Sequence, residues 1–130
     1  MRLNQSREDY LKAILILFNK NGYVRSADVA EQLGITRPSV SKTIGSLKEN
    51  GFIRLDKNKM IFLTDHGLEI AESVYEKHRF LTEKLIFIGV DPKTAETDAC
   101  KIEHALSEES FEKIKSFWEA YSQYVIEKDS

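Results

Sequence analysis

Cys100, Glu103 and His104 lie within five residues of one another, in the stretch 98–104, and are of types that bind metals. On a helix, positions i, i+3 and i+4 share a face, so the three side chains would converge. Sulfur, carboxylate and imidazole together suit a divalent transition metal better than calcium or magnesium. Glu96, four residues before Cys100, reads either as a further ligand or as a solvated helix charge. His78 falls on the apolar side of another helical stretch, four residues after Val74 and three before Leu81. A histidine there is ordinarily a hydrogen-bonded core residue, and only a cluster of partners makes it a ligand.

A chain of 130 residues holds one ordinary domain, or two small ones sharing a core. Hydrophobic residues at 42% and charged residues at 31% describe a soluble globular protein rather than a disordered one. No apolar run reaches the roughly 18 residues of a membrane span, and residues 1–6 carry no signal-peptide core, so no membrane partner is expected. Cys100 is the sole cysteine, which rules out an internal disulfide and points to a reducing cytoplasm. The net charge of −2 hides an asymmetry. Residues 1–64 hold eleven Lys/Arg against six Asp/Glu, a balance of +5, whereas residues 65–130 hold eight against fifteen, a balance of −7. A basic half suits a polyanionic partner; chance segregation of solvated charge is the bland alternative.

The elements that must position these residues follow from periodicity and punctuation. Ser6 reads as a cap, with Glu8 and Asp9 in the first turn of a helix whose apolar positions are Tyr10, Leu11, Ile14, Leu17 and Phe18. Taken locally, Asp9 is a dipole-stabilising acid, and Glu8 with Lys12 a surface pair. Asn21-Gly22 supplies the stop. Ser26 then caps a short helix through Leu33, Gly34 makes a tight turn, and Thr36 caps a third helix with Pro38 in its first turn. Two helices joined by a short glycine-containing turn form a helix-turn-helix. The outer face of the third helix carries Thr36, Arg37, Ser39, Lys42, Thr43 and Ser46, with no acidic residue before Glu49. Such a face donates to phosphates and base edges from a major groove.

Residues 52–56 and 60–64 are rich in strand formers and flank Lys57-Asn58-Lys59, which predicts a β-hairpin. Directly after a recognition helix this hairpin reads as a wing, with Lys57 and Lys59 contacting phosphate. Thr64 then caps a long helix running to about Ile88, with Leu68, Ala71, Val74, Tyr75, Leu81 and Leu85 on its buried side. Asp91-Pro92 opens the helix bearing Cys100, Glu103 and His104, packed through Ala99, Ile102 and Leu106. Ser107 caps a last helix with Phe111, Ile114, Trp118, Tyr121 and Val125 in a stripe that Phe117 and Tyr124 widen. So much aromatic surface predicts burial against a second subunit, or a fold back onto the same chain.

With these pieces the chain resembles the diphtheria toxin repressor family of iron- and manganese-dependent transcriptional regulators. The resemblance rests on Glu8-Asp9-Tyr10-Leu11, the turn Ala30-Glu31-Gln32-Leu33-Gly34, Pro38-Ser39-Val40-Ser41, Leu63-Thr64 with Gly67, Lys77-His78-Arg79, Gly89-Val90-Asp91, and above all the block from Ala99 to Ser107. In length the chain is similar to the short two-domain branch that lacks a C-terminal SH3-like domain. The resemblance implies a mainly α fold: a winged helix-turn-helix over residues 1–64, then a helical metal-binding and dimerisation domain over 65–130. It adds Pro38 and Ser41 to the DNA-facing set. It makes His78, Cys100, Glu103 and His104 metal ligands, joined by Asp9, with Glu96 at an ancillary position. Asp9 is of the manganese type and Cys100 of the iron type, so manganese or iron is the expected metal, with zinc and cobalt as alternatives. Lys12 and Thr82 stand where relatives carry glutamate, which implies a simpler site, the Lys12 ammonium taking the place of one cation.

The expected function is a DNA-binding repressor of metal-homeostasis genes, a homodimer on a double-stranded operator. A divalent metal would tie its DNA-binding half to its dimerisation half. A winged-helix regulator that no longer senses metal is the first alternative. A small metallohydrolase with Glu103 as base is a second, and it leaves the basic half unexplained. A protein-interaction winged helix is disfavoured by the carboxylate-free face from Thr36 to Ser46.

Overall fold

Helix α1 (Gln5–Asn21) starts at Asn4, whose side chain accepts from the Arg7 N–H at 2.9 Å. The cap is therefore Asn4 and not Ser6, because an amide oxygen two residues earlier satisfies the first free donors. Gly22 ends the helix at φ 82° and donates to the Phe18 carbonyl. Helix α2 (Ser26–Leu33) likewise begins one residue earlier than expected: the Asp28 carboxylate accepts from the Arg25 N–H at 2.9 Å, so Ser26 is the first helical residue. Helix α3 (Arg37–Glu49) follows after the turn at Gly34, and Val40, Ile44 and Leu47 form its buried stripe. The fold is seen in a computed structural model, described for residues 4–129.

Strands β1 (Ile53–Leu55) and β2 (Ile61–Leu63) pair antiparallel, with Ile53 opposite Leu63 and Leu55 opposite Ile61. They are shorter than the sequence pattern suggests because Asp56 closes the turn. Its carboxylate accepts from the N–H groups of Asn58 and Met60, at 2.8 and 2.9 Å, and its carbonyl accepts from Lys59. Ile61 also donates to the Val24 carbonyl, so the chain before α2 runs beside β2. Thr64 performs two tasks: its hydroxyl donates to the Gly51 carbonyl and accepts from the Gly67 N–H, which starts α4 (Asp65–Phe87).

The chain divides into two compact units, the first ending at Glu76 and the second beginning at Lys77. The first is a winged helix. Tyr10, Leu11, Ile14, Val29, Val40, Leu47, Ile53 and Ile61 form its core, and α4 contributes Ala71 with Leu68, Ile70 and Tyr75 packed around it. Those α4 side chains carry the packing unit beyond residue 64, where the sequence pattern places the boundary.

The second unit contains residues 77–87 of α4, with α5 (Pro92–Ala105) and α6 (Glu108–Asp129). Asp91 caps α5, accepting from Lys93 and Thr94, and Ser107 caps α6, accepting from Ser110. The buried stripe of α5 is Ala95, Ala99 and Glu103; Ile102, expected inside, is 37% exposed. A run of contacts joins α6 to α4. Lys77 pairs with Glu108, Phe80 meets Phe111 edge-on, Lys84 lies over Trp118, and Phe87 meets Trp118 edge-on. So Phe111 and Trp118 fold back on their own chain, while Phe117 at 74% and Tyr124 at 59% stay exposed. No helix among the described residues is long and apolar enough to cross a membrane.

The close approach at Gly67 yields a stability test. A Cβ there would collide with the Phe52 carbonyl oxygen, which already accepts from Thr64. Gly67→Ala is expected to destabilise the protein by about 1–3 kcal/mol, the usual cost of overpacking, read as a lower urea midpoint.

Candidate metal centre and nucleic-acid interface

The second unit draws four of the expected metal ligands together. His78 comes from α4, and Cys100, Glu103 and His104 come from the last turns of α5. The Glu103 carboxylate is 1% exposed and anchors the group. Its Oε2 lies 2.8 Å from His78 Nδ1, and its Oε1 lies 3.2 Å from His104 Nε2. The Cys100 Sγ is 3.7 Å from the same His78 nitrogen. A buried carboxylate is costly unless its oxygens receive hydrogen bonds, and two ring nitrogens supply them here.

Ligand atoms of His78, Cys100 and Glu103 lie within 4.8 Å of one another. Two of these separations are 2.8 and 3.7 Å, within the spread of donors bound at about 2.0–2.3 Å to one ion. The donor set of thiol, imidazole and carboxylate therefore fits a divalent transition metal in both chemistry and spacing. His78, Cys100 and Glu103 would hold the ion, with His104 against the other oxygen of Glu103, and Glu103 would contribute the negative charge that a dication needs.

Of the other expected ligands, Asp9 is half-buried on α1, in the first unit. Glu96 is exposed on α5, outside the converging donors among the described residues. Lys12 is 8% exposed, one turn after Glu8, which is 9% exposed. Both belong to the buried side of α1 rather than to the surface pair that local spacing suggests.

The expected DNA-facing residues divide into two groups. Thr36, Arg37, Pro38, Ser39, Ser41 and Lys42 are exposed at the start of α3, and Lys57 and Lys59 are exposed at the wing tip. Lys59 adopts φ 62°, which turns the chain back into β2. Thr43 and Ser46 are half-buried, and the Ser46 hydroxyl accepts from the Arg7 guanidinium at 2.7 Å. Ser46 thus ties α3 to the first turn of α1, a role invisible in the sequence because the two residues are 39 positions apart. Arg54 is also exposed, on β1, with its guanidinium 4.6 Å over the Phe62 ring. Strand alternation within residues 52–56 could have placed it outward.

Comparison with known proteins agrees with both halves. Residues 2–61 match the model described as iron dependent repressor, N-terminal DNA binding domain. Residues 64–123 match the model described as iron dependent repressor, metal binding and dimerisation domain. The chain is 34% identical over 125 residues to an uncharacterised HTH-type transcriptional regulator of Methanocaldococcus jannaschii, covering 95% of this chain and all of that one. It is 33% identical over 110 residues to the transcriptional regulator MntR of Salmonella typhimurium, covering 85% of this chain and 70% of that one. Among solved structures, the manganese regulator SloR superimposes with a TM-score of 0.78 at 28% identity, covering 92% of this chain. The chain spans about half of that longer protein, 55% of its length.

The surface chemistry predicts a specific salt response. Replacing Arg37 or Lys42 by alanine should weaken duplex binding and lower the slope of log affinity against log salt by about one for each phosphate no longer neutralised. Fluorescence anisotropy across a salt series measures both.

Proposed function

We propose that this chain, which belongs to the iron-dependent repressor family of metal-dependent DNA-binding transcriptional regulators, represses metal-homeostasis genes when a divalent cation occupies the His78–Cys100–Glu103–His104 cluster. The observation that supports this most directly is the buried Glu103 carboxylate held between two imidazoles with a thiol beside it. Manganese or iron is the proposed metal. Thiol softness favours iron, zinc or cobalt over manganese, and the carboxylates favour manganese or iron, so iron lies within both preferences.

The family resemblance adds Asp9 as a fifth ligand. On this reading the ligands come from both halves of the chain, so metal binding restricts the freedom between them. A homodimer reading two half-sites needs recognition helices about 34 Å apart, one turn of DNA. Restricting that separation favours the DNA-competent state, with a coupling on the order of 1–3 kcal/mol, or roughly 5–150-fold in affinity. The exposed α6 residues Phe117, Tyr121 and Tyr124 support the dimer, because such an aromatic face is characteristic of an interface.

An operator selected from random duplexes in the presence of manganese or iron tests the proposal. Chelation should weaken its binding by a factor within that range, and Glu103→Gln, His104→Ala and Asp9→Ala should each reproduce the chelated state without metal removal. Operator affinity indifferent to chelator would leave a winged-helix regulator without metal sensing. An intact response in Asp9→Ala alone would remove Asp9 from the ligand set.

A further inference from the structure

Resting on the metal-site reading above, we propose that Thr82 is a positioning residue for that centre, its hydroxyl accepting a hydrogen bond from a water molecule carried by the metal. Thr82 Oγ1 is buried and, among the described residues, has no hydrogen-bond partner. A buried hydroxyl left so is costly, about 1–3 kcal/mol. A helical threonine usually has a local remedy, a bond back to the carbonyl four residues earlier. Thr82 does not take it.

Its position says what it awaits. Thr82 lies four residues after His78 on α4, so the two side chains share a face. Helical side chains lean towards the N-terminus, which brings Thr82 over the turn that carries His78. His78 Nδ1 is itself 2.8 Å from Glu103 and 3.7 Å from Cys100. The orphaned hydroxyl is therefore one helical turn from a residue of the donor cluster, on the same face of α4. Transition metals held by a few protein donors keep solvent in their remaining positions. Water on a dication is a stronger donor than bulk water, and a threonine oxygen can accept from it without adding charge. The missing partner is then explained: it arrives with the metal. Groups in this outer position commonly alter metal affinity by about 10–100-fold.

The experiment uses the full chain with Thr82→Val, which keeps the shape, and Thr82→Ser, which keeps the hydroxyl. Manganese affinity is read by competition with a fluorescent chelator, bound water by the proton relaxation of the manganese-loaded protein, and stability by thermal unfolding of metal-free protein. Thr82→Val should bind manganese about tenfold or more weakly, with altered water relaxation. Its metal-free form should be at least as stable as the parent, since an unpaired buried hydroxyl has gone. Thr82→Ser should stay close to the parent in all three. Unchanged affinity and relaxation in Thr82→Val would overturn the inference, as would weaker binding matched by an equal loss of metal-free stability. Failure of the unaltered protein to bind manganese, iron, cobalt or zinc would instead overturn the site reading itself.

Discussion

A carboxylate with 1% of its surface exposed sets the terms for the second unit. Burying an ionised group costs several kcal/mol even after relaxation, and only dedicated partners offset that. Glu103 has them from two directions, His78 on the neighbouring helix and His104 beside it on its own. This requirement fixes the rotation of α5: residue 103 must face α4, so Ala99 and Ala95, four and eight residues earlier, face inward as well. Their small side chains permit the close approach that a 2.8 Å contact demands. Cys100, one position round the helix from Ala99, is then delivered to the edge of the same cluster. The candidate metal donors and the helix packing are thus one arrangement.

The DNA-binding unit follows a different logic, in which polar contacts at the margins orient an apolar core. Leu11, Val29, Val40 and Leu47 bring three helices together without specifying how α3 presents its outer face. Arg7 donating to Ser46 constrains that presentation, while the Thr36 hydroxyl donates to Ser39 at the helix start. Downstream, Thr64 links the end of α3 to the start of α4 through Gly51, in a passage so tight that Gly67 has no room for a side chain. Wing, recognition helix and the first part of the long helix are therefore mechanically connected inside one unit.

Much of this was legible in the residues. Element order, the wing with its basic tip, and the caps at Thr64, Asp91 and Ser107 all follow from turn and capping chemistry, which is local. Where reading failed, the cause was distance or hydrophobic ranking. Asn4 displaced Ser6 because an amide two residues upstream was equally able to cap. The pattern puts Ile102 in the core and Glu103 outside it, since apolar character outranks charge; the structure reverses their burial. The bond from Arg7 to Ser46 and the silence of Thr82 Oγ1 need the assembled fold to be seen at all. For the proposed site, the donor types were readable from spacing on α5 and His78 from the family resemblance, whereas the contacts of His78 with Glu103 and Cys100 need the fold.

The division of the chain bears on how sensing can work. His78, Cys100, Glu103 and His104 all belong to the second unit and are already gathered there. A cation held by these four alone would gain affinity from preorganisation, because little chain must be ordered to receive it. For the same reason it would bias nothing beyond that unit: a ligand shifts an equilibrium only by its differential affinity for the two states. Regulation of DNA binding would therefore require a contribution that differs between states, which donors gathered inside one unit do not supply. Of the proposed ligands, only Asp9 belongs to the DNA-binding unit. On the proposed ligand set, the cluster on α4 and α5 would account for affinity and choice of metal, and the switch would fall to Asp9.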